Sequence, residues 1–227
     1  MLQFYYNTGP NPMKVALLLE ETGLEYEAIP VDGRKGDQHK PEYKAINPNA
    51  KAPSLVDGGA PIFDSNAILM YLADKTGKFT PAVGDTARGD VLSWLMFVAT
   101  GIGPYSGQSV HFQHHAPEKV PYAINRYRFE AKRHYGILND RLAERHFILG
   151  DNYSIVDMAT WGWARLLHIV IDADTWAELP HLKRMIDEIS ARPAAKRANA
   201  LAAKHTFKTE MDADAQRNMF PSNQTKA

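Results

Sequence analysis

The sequence predicts an α/β unit followed by an all-α domain, and three observations carry that reading. In the first 80 residues, short β-prone runs alternate with stretches of helical periodicity. Beyond about residue 88 no strand pattern stands out, while apolar residues recur at three- and four-residue intervals. Between the two, KFTPAVGDTARG loses periodicity and gathers Pro, Gly and Thr. The expected division is residues 1–80, a linker at 81–88 and a helical domain at 89–227.

Leu2 to Tyr6 is an aromatic and apolar run with strand propensity, ended by the turn cluster Asn7-Thr8-Gly9-Pro10. In PMKVALLLEETG, Val15, Leu18 and Leu19 fall at helical spacing and Gly23 is placed as a C-terminal cap. EYEAIPV reads as a second strand and KPEYKAIN as a short helix opening on proline. PSLVD and PIFD form a hairpin around Gly58-Gly59, and a helix from about Asn66 to Thr76 stops at Gly77. The order βαβαββα implies a mixed sheet with helices on its faces.

In the second half, Asp90 to Thr100 reads as a helix that the glycines and proline of TGIGPYSG kink or break. A long helix is expected from Pro121 to His146, and YSIVDMATWGWARLLHIVI as one buried central helix with a Ser154/Asp157 capping box. Shorter helices are expected near 180–191 and 194–204, and the polar tail after about Lys208 is expected to fray.

The 26 basic and 26 acidic side chains cancel, which argues against nucleic acid or an anionic membrane as partner. No apolar run reaches the ~20 residues needed to cross a bilayer. The N-terminus lacks a signal-peptide pattern, so the expected location is cytoplasmic. There is no cysteine, which removes thiolate metal sites and any protein-borne sulfur nucleophile. Thiol chemistry here needs a thiol brought by a ligand. The cluster HFQHHAP holds His111, His114 and His115, but no carboxylate stands at a matching interval, so no metal is expected.

Taken alone, Pro53 is an edge-strand proline, Asp64-Ser65 a helix cap, and Asn11 a cap before Pro12. Together with the element order, NPNAKAPSLVDGG, FDSNAILMYLADK and YSIVDM make the chain resemble the cytosolic glutathione transferases. PNPMKVALLLEE, RKGDQHKPEY and the stretch GIGPYSGQSVHFQHHAPEKVPYAINRYRFEAKRHY are most similar to the bacterial Nu-class, Ure2-like group. The resemblance covers residues 1 to about 205. It implies a thioredoxin-like N-terminal domain, an all-helical C-terminal domain and a homodimer.

It also implies a ligand, glutathione, as co-substrate. A cis Ala52-Pro53 strand would pair with the cysteinyl backbone of that peptide by strand addition. The helix start at Asp64-Ser65 would take its γ-glutamyl end, carboxylate on the N–H groups and ammonium on Asp64. Gln38 and Lys51 match positions near the glycyl end, and Arg126 could reach a bound carboxylate, in this subunit or its partner. For stabilising the thiolate the order is Asn11, Thr8, Tyr5. The group carries Thr directly before its Pro-Asn, where this chain has Gly9, with Thr8 one place earlier. The implied activity is glutathione-dependent disulfide reduction. Conjugation to small electrophiles and a non-catalytic binding or regulatory module are the alternatives.

Overall fold

The computed structural model describes residues 1–224. The N-terminal unit runs β1 (Leu2–Tyr6), α1 (Pro10–Thr22), β2 (Tyr26–Pro30), α2 (Pro41–Ile46), β3 (Ser54–Asp57), β4 (Ala60–Phe63) and α3 (Ser65–Thr76). The four strands order as β2-β1-β3-β4. β1 pairs parallel with β2 and antiparallel with β3, and β3 pairs antiparallel with β4, giving the expected mixed sheet. Gly58 and Gly59 both take positive φ, which the two-residue hairpin between β3 and β4 requires. Gly23 and Gly77 end α1 and α3 in the left-handed conformation.

The remainder is helical: α4 (Arg88–Phe97), α5 (Gly103–Val110), α6 (Pro121–Arg141), α7 (Ile155–Ala164), α8 (Leu167–Val170), α9 (Pro180–Ala191), α10 (Pro193–Ala200) and α11 (Ala213–Met219). Several elements differ from expectation. TGIGPYSG does not break the chain's helical course. Residues 98–102 widen into a π-helical turn, and Pro104, second residue of α5, follows directly on it. The long helix ends at Arg141, whose guanidinium bonds the carbonyl of Ile148 and the carboxylate of Asp90. The central helix stops at Ala164, with a tight turn from Leu166 N–H to Trp163 O, and resumes as α8. The tail does not hang free: α11 packs on residues 33–36 of the N-terminal unit.

Capping anchors α7 as expected. The buried Asp157 accepts from Ser154 N, Ser154 Oγ and Ile148 N, each at 2.8 Å, while Ser154 Oγ accepts from Val156 N. α1 lies between the sheet and the helical domain, touching α3, α7 and α10. Its polar end is held by Arg192 on Glu21 and Arg197 on Glu20. Along α7, the tripeptide Trp161-Gly162-Trp163 serves three directions. Trp161 is buried and donates to Ser190 Oγ on α9, Gly162 faces α1, and Trp163 reaches the gap between the domains.

Gly162 permits this closeness. A Cβ there would stand 2.6 Å from the carbonyl oxygen of Pro10 and 3.1 Å from Lys14 Cβ. Backbone cannot yield as a side-chain end can. Gly162→Ala should therefore cost about 1–3 kcal/mol, the usual penalty of overpacking, measured as a lowered urea midpoint. A midpoint equal to wild type would show that the α1–α7 seam is looser than described.

Candidate active site

Between the sheet's edge and α5 lies a cleft of about 790 Å³, a volume suited to a small-molecule ligand. Its first wall is the loop before β3. Asn47 Oδ1 accepts from Asn49 N at 3.0 Å, while Tyr43 Oη and Asn47 Nδ2 both donate to the carbonyl of Lys51. These bonds seat Lys51 and Ala52 on the cleft. The Ala52–Pro53 peptide is cis, and Pro53 is buried behind it.

The second wall is the start of α3. Asp64 caps the helix, its Oδ1 accepting from Asn66 N at 2.9 Å and Ala67 N at 3.2 Å. Asp64 holds φ 68° and ψ 124°, sparsely populated backbone for a residue with a side chain, and such strain concentrates at binding sites. Because the cap consumes those two N–H groups, the donors this turn can offer a ligand are Ser65's. Its residue lines the cleft.

Below this turn sits a residue that sequence reading passed over. Lys14 is 1% exposed, lines the cleft, and donates from Nζ to Asn66 Oδ1 at 2.8 Å. Burial pulls its ammonium down to about 7, and the Asp64 carboxylate only partly opposes that. In PMKVALLL it looks like the polar edge of an amphipathic helix. The signal was a lone charge inside an apolar run, but only the fold turns it inward.

The floor is the first turn of α1. Gly9, not Asn11, is its N-cap, held by Gly9 N donating to Asn7 Oδ1 at 2.9 Å. Asn11 is freed from capping and lines the cleft, where its Oδ1 accepts from Trp163 Nε1 at 3.2 Å. With its oxygen so engaged, the amide offers the cleft its two N–H donors. Gly103 and Gly107 of α5 border the indole, and a Cβ on either would meet it in ordinary van der Waals contact at 3.7–3.8 Å.

Gln38 also lines the cleft, 7% exposed. Its Nε2 donates to the carbonyls of Gly33 (3.2 Å) and Asn218 (2.9 Å), and its buried Oε1 has no partner among the described residues. A buried acceptor left unmatched is costly unless a ligand or solvent supplies a donor.

Three expected residues stand elsewhere. Tyr5 points away, because successive strand residues face opposite sides of a sheet. Its ring packs on Tyr43 and lines a separate depression of about 200 Å³ with Ile29 and Ile46. Thr8 is exposed on the turn before the Gly9 cap and does not line the cleft. Arg126 bonds Glu130 on its own helix at 2.7 Å, also outside this cleft. Of the histidines, His111 lines the cleft, His115 stacks on Phe220, and His114 bonds the carbonyl of Ile169.

The glutathione S-transferase N-terminal domain matches residues 2–74 and the C-terminal domain of the same family matches residues 109–193. The chain is 42% identical over 206 residues to the disulfide-bond oxidoreductase YfcG of Escherichia coli, covering 87% of this chain and 94% of that protein. A glutathione transferase from Burkholderia graminis, solved with two glutathione molecules per subunit, is 40% identical with a TM-score of 0.82, covering 88% of this chain and 87% of that one. URE2P6 from Phanerochaete chrysosporium, solved with oxidised glutathione, is 35% identical with a TM-score of 0.85, covering 89% and 96%.

Lys14 gives the site a pH signature. Its folded value of about 7 lies below its ordinary 10.5, so between those limits the unfolded chain binds more protons and stability rises with pH. Lys14→Met lacks this dependence. In urea unfolding from pH 7 to 9, wild type should gain on the variant by up to about 1.4 kcal/mol per pH unit. Parallel profiles would refute a buried, depressed lysine.

Proposed function

We infer, from the fact that the chain belongs to the glutathione S-transferase family, that this cleft binds glutathione and activates its thiol for disulfide reduction. The observation that carries the reading is a convergence. The cis-proline loop, the α3 start and the Asn11 amide share one cleft in a chain that has no cysteine of its own. A relative at 42% identity is a disulfide-bond oxidoreductase, and relatives have been solved with two glutathiones or with oxidised glutathione bound.

In this reading the backbone of Ala52 meets the cysteinyl part of the ligand by strand addition. Ser65 binds the γ-glutamyl carboxylate, Lys14 supplies nearby positive charge, and the free oxygen of Asp64 takes the ammonium. Lys51 and Gln38 flank the glycyl end. Asn11 donates to the sulfur, favouring the thiolate over a thiol whose ordinary pKa is about 8.5. The thiolate attacks one sulfur of a disulfide, forming a mixed disulfide and expelling the other sulfur as a thiolate that takes a proton from water. A second glutathione thiolate then attacks the glutathione sulfur of that mixed disulfide. Oxidised glutathione forms and the second thiol leaves. Both electrons come from the two glutathiones, so no protein cysteine is required.

We place the glutathione-gripping domain at residues 1–80 and the helical domain, which completes the cleft, at 89–227. A homodimer fits the exposed apolar surface. Leu92 and Met96 share a face of α4, and Phe63 is exposed on β4. On α6, exposed Tyr122 and Phe129 flank Arg126 at helical spacing. A dimer formed on that face would carry Arg126 into the interface, within reach of the second subunit's cleft. A cytoplasmic location suits a cysteine-free enzyme that draws on reduced glutathione.

Calorimetry with reduced and oxidised glutathione tests the reading. Both should bind, and Ser65→Ala should weaken binding about tenfold, the loss of a hydrogen bond to a charged group. Turnover of 2-hydroxyethyl disulfide should consume two glutathiones per disulfide. Asn11→Ala should lower kcat/KM by about 10–100-fold. Trp163→Phe, which keeps the ring and removes the N–H, should lower kcat less and leave KM unchanged. Turnover of electrophiles without disulfides would move the assignment to conjugation. No binding of either form at millimolar concentration would end it.

A further inference from the structure

Beyond α10 the chain returns to the cleft, in a segment that lies outside both family matches, the second of which ends at residue 193. Lys208 N donates to Asp32 Oδ2 at 2.7 Å, and Arg34 donates to the carbonyl of Lys208 at 2.8 Å. Asp212 then caps α11, its carboxylate accepting from Ala215 N at 2.9 Å. At the end of α11 the carbonyl of Asn218 accepts from Gln38 Nε2 and His39 Nε2, both at 2.9 Å, and Asn218 Nδ2 donates to the carbonyl of Arg34.

The receiving loop is shaped for this segment. A Cβ on Gly33 would stand 2.8 Å from Met219 Sδ, and one on Gly36 would stand 3.1 Å from the Asn218 amide. Gly36 also takes φ 85°. Past α11 the chain reaches the opposite bank. Phe220 stacks on His115 with ring centres 4.8 Å apart and tilts on His111 at 5.1 Å, while Asn223 Nδ2 donates to the carbonyl of His115. The segment thus ties the loop at 33–39 to the end of α5, and Asn218 to Ser222 line the cleft that holds Asn11.

We propose that Asn218–Ser222 is a specificity wall for the second half of the cleft, confining the group joined to glutathione's sulfur to compact, low-molecular-weight partners. The proposal rests on the glutathione reading above. In that reading Asn11 marks the sulfur's place in the cleft. Opposite the segment stand Gly103, Gly107 and Gln108 of α5, and Phe220 closes the end against His111. A folded protein's disulfide would have to bring a broad surface to a cleft that this segment lines. Small disulfides, glutathione disulfide among them, enter without that demand.

Phe220 is partly exposed, so its side chain can be changed in the full-length protein with little risk to folding. Calorimetry on wild type, Phe220→Ala and Phe220→Trp would compare glutathione with S-methylglutathione and with a small folded protein carrying one glutathionylated surface cysteine, the bulky conjugate whose access the segment limits. The readout is the Kd of the bulky conjugate relative to that of glutathione. Phe220→Ala should lower that ratio at least fivefold and Phe220→Trp should raise it, with S-methylglutathione moving little. A ratio unchanged in both variants, with glutathione still binding, overturns the wall and leaves the glutathione site standing. Failure of glutathione to bind wild type overturns both.

Discussion

The closeness of α1 to α7 is the constraint from which the site follows. Gly162 lets the backbone of α7 approach the carbonyl of Pro10. That approach brings Trp163 to Asn11 and closes Lys14 away from water. Neither domain holds the cleft alone: α1, the loop before β3 and α3 supply one bank, and α5 and α7 the other. A glycine between two tryptophans thus sets the packing that shapes the cleft. Its neighbours reach α9 and, through Asn11, the cleft, while Gly162 lets the two helix backbones meet.

The polar groups around that seam suit the anionic, thiol-bearing peptide proposed above as ligand. In the proposed reading the donors are the Ser65 N–H and hydroxyl, the buried Lys14 amine and the Asn11 amide, and the Asp64 carboxylate takes the ligand's ammonium. None is a strong acid or base. That suits sulfur exchange, in which the nucleophile and leaving group are both thiolates and no oxyanion needs shelter. It also explains why a chain without cysteine suffices, since the protein's part is to hold the ligand and lower the cost of its charge.

The N-terminal unit was legible almost residue by residue because local chemistry marks its boundaries. Gly23 and Gly77 close helices and Gly58-Gly59 sets the hairpin, although α1, read from Pro12, begins two residues earlier at Pro10. The helical half was read less well because its boundaries are tertiary. Arg141 ends α6 by turning to Ile148 and Asp90, and the tail folds because Gln38 and His39 wait for the carbonyl of Asn218. Lys14 and Trp163 escaped for the same reason, since an inward-turned lysine and a tryptophan bonded 152 residues away leave no local trace. Tyr5 shows the reverse error, for strand alternation alone would have set it on the face away from the cleft.

The central claim, that this cleft stabilises a glutathione thiolate, is tested most directly by titrating the ultraviolet thiolate absorbance of bound glutathione against pH. The predicted midpoint lies at least about one unit below the ~8.5 of a free thiol, and it should return toward that value in Asn11→Ala. A bound thiol that titrates as it does in solution would contradict the account, however tightly glutathione is held.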